Sequence, residues 1–137
     1  VSAPESSDRP SLRRRPRVIN YDEVFSLLVA ACPSFEHSTD SAQAEEDEGE
    51  FLRVGHLAFH LIELLLSDET DSFAAVFGIV DWVLAEGSAE SRMLVADGFL
   101  HDLTSLDRYG DSGKLPSEFV PWLGPCARRE LVIQPFL

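Results

Sequence analysis

Apolar residues recur at three- and four-residue spacing through most of the chain, and that pattern predicts helices. Residues 86–103 show it best. Gly87 reads as a helix stop and Ser88 as a new cap. Met93, Leu94, Ala96, Phe99, Leu100 and Leu103 then form the inward face of an amphipathic helix. Glu90, Asp97 and His101 fall at helical spacing on another face. Gly98, inside this helix, costs about 1 kcal/mol against Ala and points to a close helix approach.

The other elements follow by the same rule. Asn20 with Glu23 resembles a capping box, and Val24, Phe25, Leu27, Leu28 and Ala31 follow with helical spacing until Pro33. Residues 36–50 read as a mobile acidic loop centred on Glu45, Glu46, Asp47 and Glu48, because like charges so dense oppose packing. Residues 50–66 predict a central helix, apolar around most of its circumference, with Arg53, His56, His60 and Glu63 on one exposed stripe. Ser67, Asp68, Glu69, Thr70 and Asp71 are expected to cap a third helix with Phe73, Val76, Phe77, Val80, Val83 and Leu84 on its core face. Gly110 and Gly113 break the chain, and a short helix is expected near residues 117–123. Pro125, after Gly124, opens a last helix with Ala127, Leu131 and Val132 inward. The pattern predicts an all-α fold: a compact bundle of about five helices stacked as antiparallel hairpins. Residues 1–19 form a disordered basic arm and residues 20–137 a single all-helical domain.

Charge adds a direction to this picture. The net charge is −13, but residues 1–19 carry Arg9, Arg13, Arg14, Arg15 and Arg17 against Glu5 and Asp8, so the rest stands at −16. Such a body repels nucleic acid and anionic membranes and attracts cationic partners. The arginines at 13–17 are the exception, and either contact a phosphate surface or are simply solvated. Cys32 and Cys126 form no CxxC and read as thiols of a reducing compartment. No apolar run reaches spanning length, and no apolar region follows the arginines as a secretory signal requires, so the expected compartment is the cytoplasm.

Chemistry is thinly represented. His56 and His60 lie four residues apart, with Glu63 three further on, and could hold a metal from one helix face. The same residues also read as a plain polar stripe, and the HExxH arrangement is absent. No nucleophile, base and oxyanion donor can be assembled, and no glycine-rich phosphate loop is present. The expectation is a non-enzymatic protein without a cofactor. Of the two tryptophans, Trp122 is the better candidate for a binding hot spot.

Four stretches carry a resemblance. They are Phe59-His60-Leu61-Ile62-Glu63-Leu64-Leu65, Val83-Leu84-Ala85-Glu86-Gly87, Leu94-Val95-Ala96-Asp97-Gly98-Phe99-Leu100-His101-Asp102-Leu103 and Trp122-Leu123-Gly124-Pro125-Cys126-Ala127-Arg128. Together they resemble a bacterial family of small all-helical domains of unknown function, similar to immunity proteins of polymorphic toxin systems. The resemblance spans most of residues 21–132 and brings no catalytic residues with it. It implies an inhibitor that blocks a cognate basic toxin through an acidic surface. The partner-binding candidates are Glu45, Glu46, Asp47, Glu48, Glu50, Glu90, Asp97, Asp102 and Trp122. Two alternatives stay open: a helical adaptor that holds a peptide in an inter-helix groove, and a metal-dependent enzyme built on His56, His60 and Glu63.

Overall fold

A helix that is apolar around most of its circumference needs neighbours on several sides. The computed structural model of the protein surrounds just such a segment, α3 (Glu50–Leu66), with other helices. The structure describes residues 18–46 and 49–133; for Gln43, Glu45, Glu46 and residues 131–133 it describes the backbone alone. The other helices are α1 (Val24–Ala30), α2 (Thr39–Glu46), α4 (Phe73–Glu86), α5 (Ala89–Met93) and α6 (Pro125–Ile133); α3 packs against α1, α2 and residues 94–100, while α6 packs on α4. The expected all-α class holds: among the described residues there is no strand, only a bridge between Ile19 and Gly87.

That bridge ties the start of the ordered chain to the α4–α5 corner. Residues 1–17 of the expected arm lie outside the described residues, but Ile19 is fully buried. Its carbonyl accepts from the Ser88 N–H at 3.0 Å and the Ser91 hydroxyl at 2.8 Å. Ser88 in turn caps α5 by accepting from the Ser91 N–H at 3.1 Å, as its position after Gly87 predicts. Asn20 does not act as a side-chain cap. The chain instead enters α1 through a 3-10 turn, Tyr21–Glu23, in which the Glu23 N–H reaches the Asn20 carbonyl at 3.0 Å.

The expected loop over residues 36–50 is the largest correction. A 3-10 turn, Pro33–His37, leads into α2, whose start is capped by Ser38: its hydroxyl accepts from the Ser41 N–H at 3.0 Å. Only Asp40 and Ala44 of α2 are buried among its described side chains, so no apolar stripe marks the helix in sequence. The cap and the neighbouring α3 hold what composition alone leaves open. The turn before α4 also differs from expectation. No side chain caps α4; Asp68 takes a left-handed φ of 60°, and the Lys114 ammonium donates to the Leu65 carbonyl at 2.8 Å and to the Asp68 carboxylate. A distant lysine thus satisfies the end of α3.

The core itself is aromatic. Phe73 and Phe77 of α4 meet Phe119 of the 3-10 turn Pro116–Trp122, and Phe77 also meets Phe99. Phe99 belongs to a segment that no period in the sequence announces. After Met93 the helix widens into a π-helical stretch, Leu94–Leu100, that buries every residue but Asp97. Its exposed positions, Met93, Asp97 and His101, recur four residues apart. Met93, expected inside, is 54% exposed, on the outward face it shares with Asp97 and His101. Gly98 behaves as expected: a Cβ there would stand 3.0 Å from the Phe51 ring and 3.3 Å from Val54, so its absence lets this stretch lie against α3.

Candidate functional site

Two regions gather the residues that the sequence singles out. The first is the face formed by the start of α3 and the outer side of α5. Glu50 opens α3, where an acid suits the helix dipole, and its carboxylate pairs with Arg53 three residues on at 3.1 Å. Glu90 stands exposed in the first turn of α5, and Asp97 stays exposed on the π segment. Tyr21 lies close to both glutamates. Its phenol is pushed above its ordinary value by desolvation first, then by the negative charges of Glu50 and Glu90. Glu50 and Glu90 are therefore brought to one locality from elements forty residues apart.

Apolar side chains share this face. Phe51 is 41% exposed and Leu52 58%, both in the first turn of α3. The Phe51 ring rests beside Gly98, next to Asp97 in the chain, and Met93 lies one turn before Asp97. Three large apolar groups thus stand exposed at the ends of these two helical segments, Phe51 and Met93 of them near Asp97. The sequence reading missed Phe51 and Leu52 because helical spacing assigns both to the core. At the first turn, however, a central helix has no neighbour outward of it.

The remaining partner-binding candidates fall elsewhere. The side chains of Glu45 and Glu46, and all of Asp47 and Glu48, lie outside what the structure describes. Asp102 is not on the open surface. It is half-buried against α3, where a Cβ on Gly55 would stand 2.5 Å from its Oδ2. Burial raises the Asp102 carboxyl above its ordinary value, partly offset by His101 and His56. A folded-state value above the unfolded one means that the protonated form favours folding. That contribution is present at acid pH and is lost as pH rises through the folded value, so the ionised carboxylate weakens the fold at neutral pH. Asp102→Asn is expected to be more stable than the parent at pH 7, with the difference closing as pH falls through the carboxylate range. Urea unfolding of both proteins from pH 7 to pH 4 measures it, and a constant offset would refute it.

Trp122 belongs to a third place. Its indole meets Phe73 edge-on at 5.0 Å and, with Trp82, Asp81 and Pro121, lines an open groove of about 590 Å³ between α4 and the chain before α6. No residue of the acidic face lines this groove.

The second region replaces the expected histidine pair. His60 and Glu63 do converge, but their companion is Asp40 of α2, with one potential ligand atom from each lying within 4.8 Å of the others. His56 is not part of that group; its ring meets Phe59 edge-on at 6.2 Å. His60 is buried and not on an exposed stripe, with Nε2 2.9 Å from the Ser34 hydroxyl and Phe35 edge-on at 5.7 Å. Desolvation lowers its pKa against the opposing pull of Asp40 and Glu69, which favours neutral imidazole. Glu63 is raised by desolvation, by the Asp40 charge and by a hydrogen bond with Asp40, while Arg108 pulls the other way. The Arg108 guanidinium itself lies 3.8 Å over the Phe59 ring. Asp40 escaped notice because its segment reads as loop. Ser38 followed by an acid in the next turn is the cap signal that marks it.

Both thiols are free, Cys32 buried and Cys126 half-buried. No helix among the described residues is long and apolar enough to cross a membrane. Against known proteins, the sequence model of one family matches residues 25–133, and the chain belongs to that family, described as Domain of unknown function (DUF7674). No curated protein and no solved structure matches the chain.

Proposed function

We propose that this DUF7674 domain is a non-enzymatic protein-binding module that presents the face around Phe51, Leu52 and Met93 to a basic protein partner. The observation that carries the reading is the company these residues keep. Phe51, Leu52 and Met93 are exposed; the Phe51 ring lies beside Gly98, next to Asp97, and Met93 stands one helical turn from both Glu90 and Asp97. Interfaces have this anatomy, in which the apolar centre supplies affinity and the rim supplies steering and register. The charge of −16 outside residues 1–19 extends the attraction to long range. The resemblance to immunity proteins makes a cognate toxin of basic surface the partner class to test first. Such an inhibitor would cover a site built for a polyanion with carboxylates of its own.

The test is association of the full chain with the product of an adjacent toxin-like gene, followed at low and high salt. A complex that weakens with salt and silences that product's toxicity is the expected result. Neutralising Glu90 and Asp97 together (Glu90→Gln, Asp97→Asn) is expected to slow association roughly tenfold at low salt and leave folding intact. Met93→Ala is expected to speed dissociation instead. Failure to form a complex at either salt concentration would remove the reading.

A second reading rests on the groove beside Trp82 and Trp122, which could receive a peptide as an adaptor does. These are the only tryptophans of the chain, and both line the groove. A ligand there shifts tryptophan emission with little dependence on salt, whereas a partner on the acidic face leaves the emission unchanged.

A further inference from the structure

We propose that Asp40, His60 and Glu63 form a binding site for a divalent transition-metal cation, zinc first among them, that clamps α2 onto α3. Three donors of the right kind converge there: one imidazole and two carboxylates, all with potential ligand atoms within 4.8 Å of one another. A tetrahedral zinc with bonds of about 2.0–2.2 Å sets its ligand atoms roughly 3.4 Å apart. The group closes to that spacing by side-chain rotation, for which the exposed Glu63 has room.

An acidic pair alone would not identify a cation site, but two buried atoms point the same way. Asp40 is 7% exposed and His60 6%, yet Asp40 Oδ2 and His60 Nδ1 have no hydrogen-bond partner. A buried polar atom without a partner costs about 1–3 kcal/mol, so two in one cluster call for a ligand that satisfies both. The second nitrogen of His60 is already held by Ser34, the arrangement that fixes the ring of a metal-binding histidine. With Nε2 engaged, Nδ1 is the nitrogen available to a cation. Three protein ligands with Glu63 at the surface leave a fourth position for water.

The clamp also answers a structural need. Asp40 and Ala44 are the buried residues among α2's described side chains, so little apolar burial holds this helix to α3. A cation bridging Asp40 to His60 and Glu63 joins the two directly.

The chelator-treated chain is titrated with Zn²⁺ by calorimetry, with metal content measured after dialysis. The expected result is one Zn²⁺ per chain, a raised melting temperature and stronger hydrogen-exchange protection in α2. Glu63→Gln, at an exposed position, keeps the fold and is expected to weaken binding at least tenfold. Asp40→Asn should do the same. His56→Ala should leave binding unchanged, which separates this cluster from His56, His101 and Asp102. Absence of stoichiometric binding overturns the proposal. So does binding that survives Glu63→Gln and Asp40→Asn but is lost with His56→Ala.

Discussion

Phe77→Ala is expected to lower the unfolding free energy by about 3–5 kcal/mol, the largest effect of any single substitution considered for this fold. Phe77 is 1% exposed, and its ring stands 6.3 Å from Phe73, 6.1 Å from Phe99 and 5.7 Å from Phe119. Those rings come from α4, the π segment and the 3-10 turn Pro116–Trp122, so one side chain joins three elements distant in sequence. Truncation removes the transfer energy of the ring and leaves a cavity, because neighbours fixed by other helices cannot all move in. Domains of this size have unfolding free energies of about 5–15 kcal/mol in total, so the variant would keep a fraction of its stability. Urea denaturation measures the change as a lower midpoint at constant slope. Phe25→Ala is the comparison: that ring is half-buried, meets Phe35 at 5.9 Å, and should cost much less. Equal costs would mean that the aromatic cluster is not the centre of the core.

How far the sequence foretells this core depends on the period. Phe73, Val76, Phe77, Val80 and Val83 repeat at helical spacing, and all five are buried. The bounds of α3, the stop at Gly87, the cap at Ser88 and the start of α6 at Pro125 could be read because each is written in local residues. The π segment could not. A wider turn leaves no mark in a 3.6-residue pattern. α2 could not be read either, since it presents almost no apolar stripe and depends on the Ser38 cap.

The candidate sites follow the same division. Glu90 and Asp97 are exposed where helical spacing puts them, since an outward face is fixed by the period of a single helix. Asp102 departs from expectation because Gly55 opens a space opposite it, a relation between residues 47 positions apart. The pairing of His60 and Glu63 was written in one helix, but the third member, Asp40, comes from a separate helix and needed the tertiary fold. Contacts within a turn are readable from sequence, and contacts across helices are not.

Asp81→Ala is expected to cost about 2–3 kcal/mol by releasing the start of α6. The first turn of a helix leaves N–H groups unpaired, and a side chain at the N-cap position usually accepts from one. Here that position holds Gly124, which has no side chain. Pro125 at the first helical position has no N–H to satisfy. The next two N–H groups, of Cys126 and Ala127, donate to Asp81 Oδ1 at 2.7 and 3.0 Å. Asp81 sits on α4, so one carboxylate caps α6 and fastens it to the core at once, aided by its charge at the positive end of the helix dipole. Gly124 is required by the same contact, since a Cβ there would stand 2.6 Å from the Asp81 carboxyl carbon. A local cap such as Gly124→Ser therefore cannot stand in for Asp81. Asp81→Asn keeps an acceptor oxygen but not the charge, and should cost less than Asp81→Ala. Urea unfolding followed by tryptophan emission, with exchange rates at the Cys126 and Ala127 amides, measures both. Trp122 packs on Phe73 close to the start of α6, so detachment of α6 changes its emission before global unfolding. Equal costs for the two variants would assign the effect to charge. No cost for either would mean that buried Leu123 and Ala127 hold α6 by packing alone.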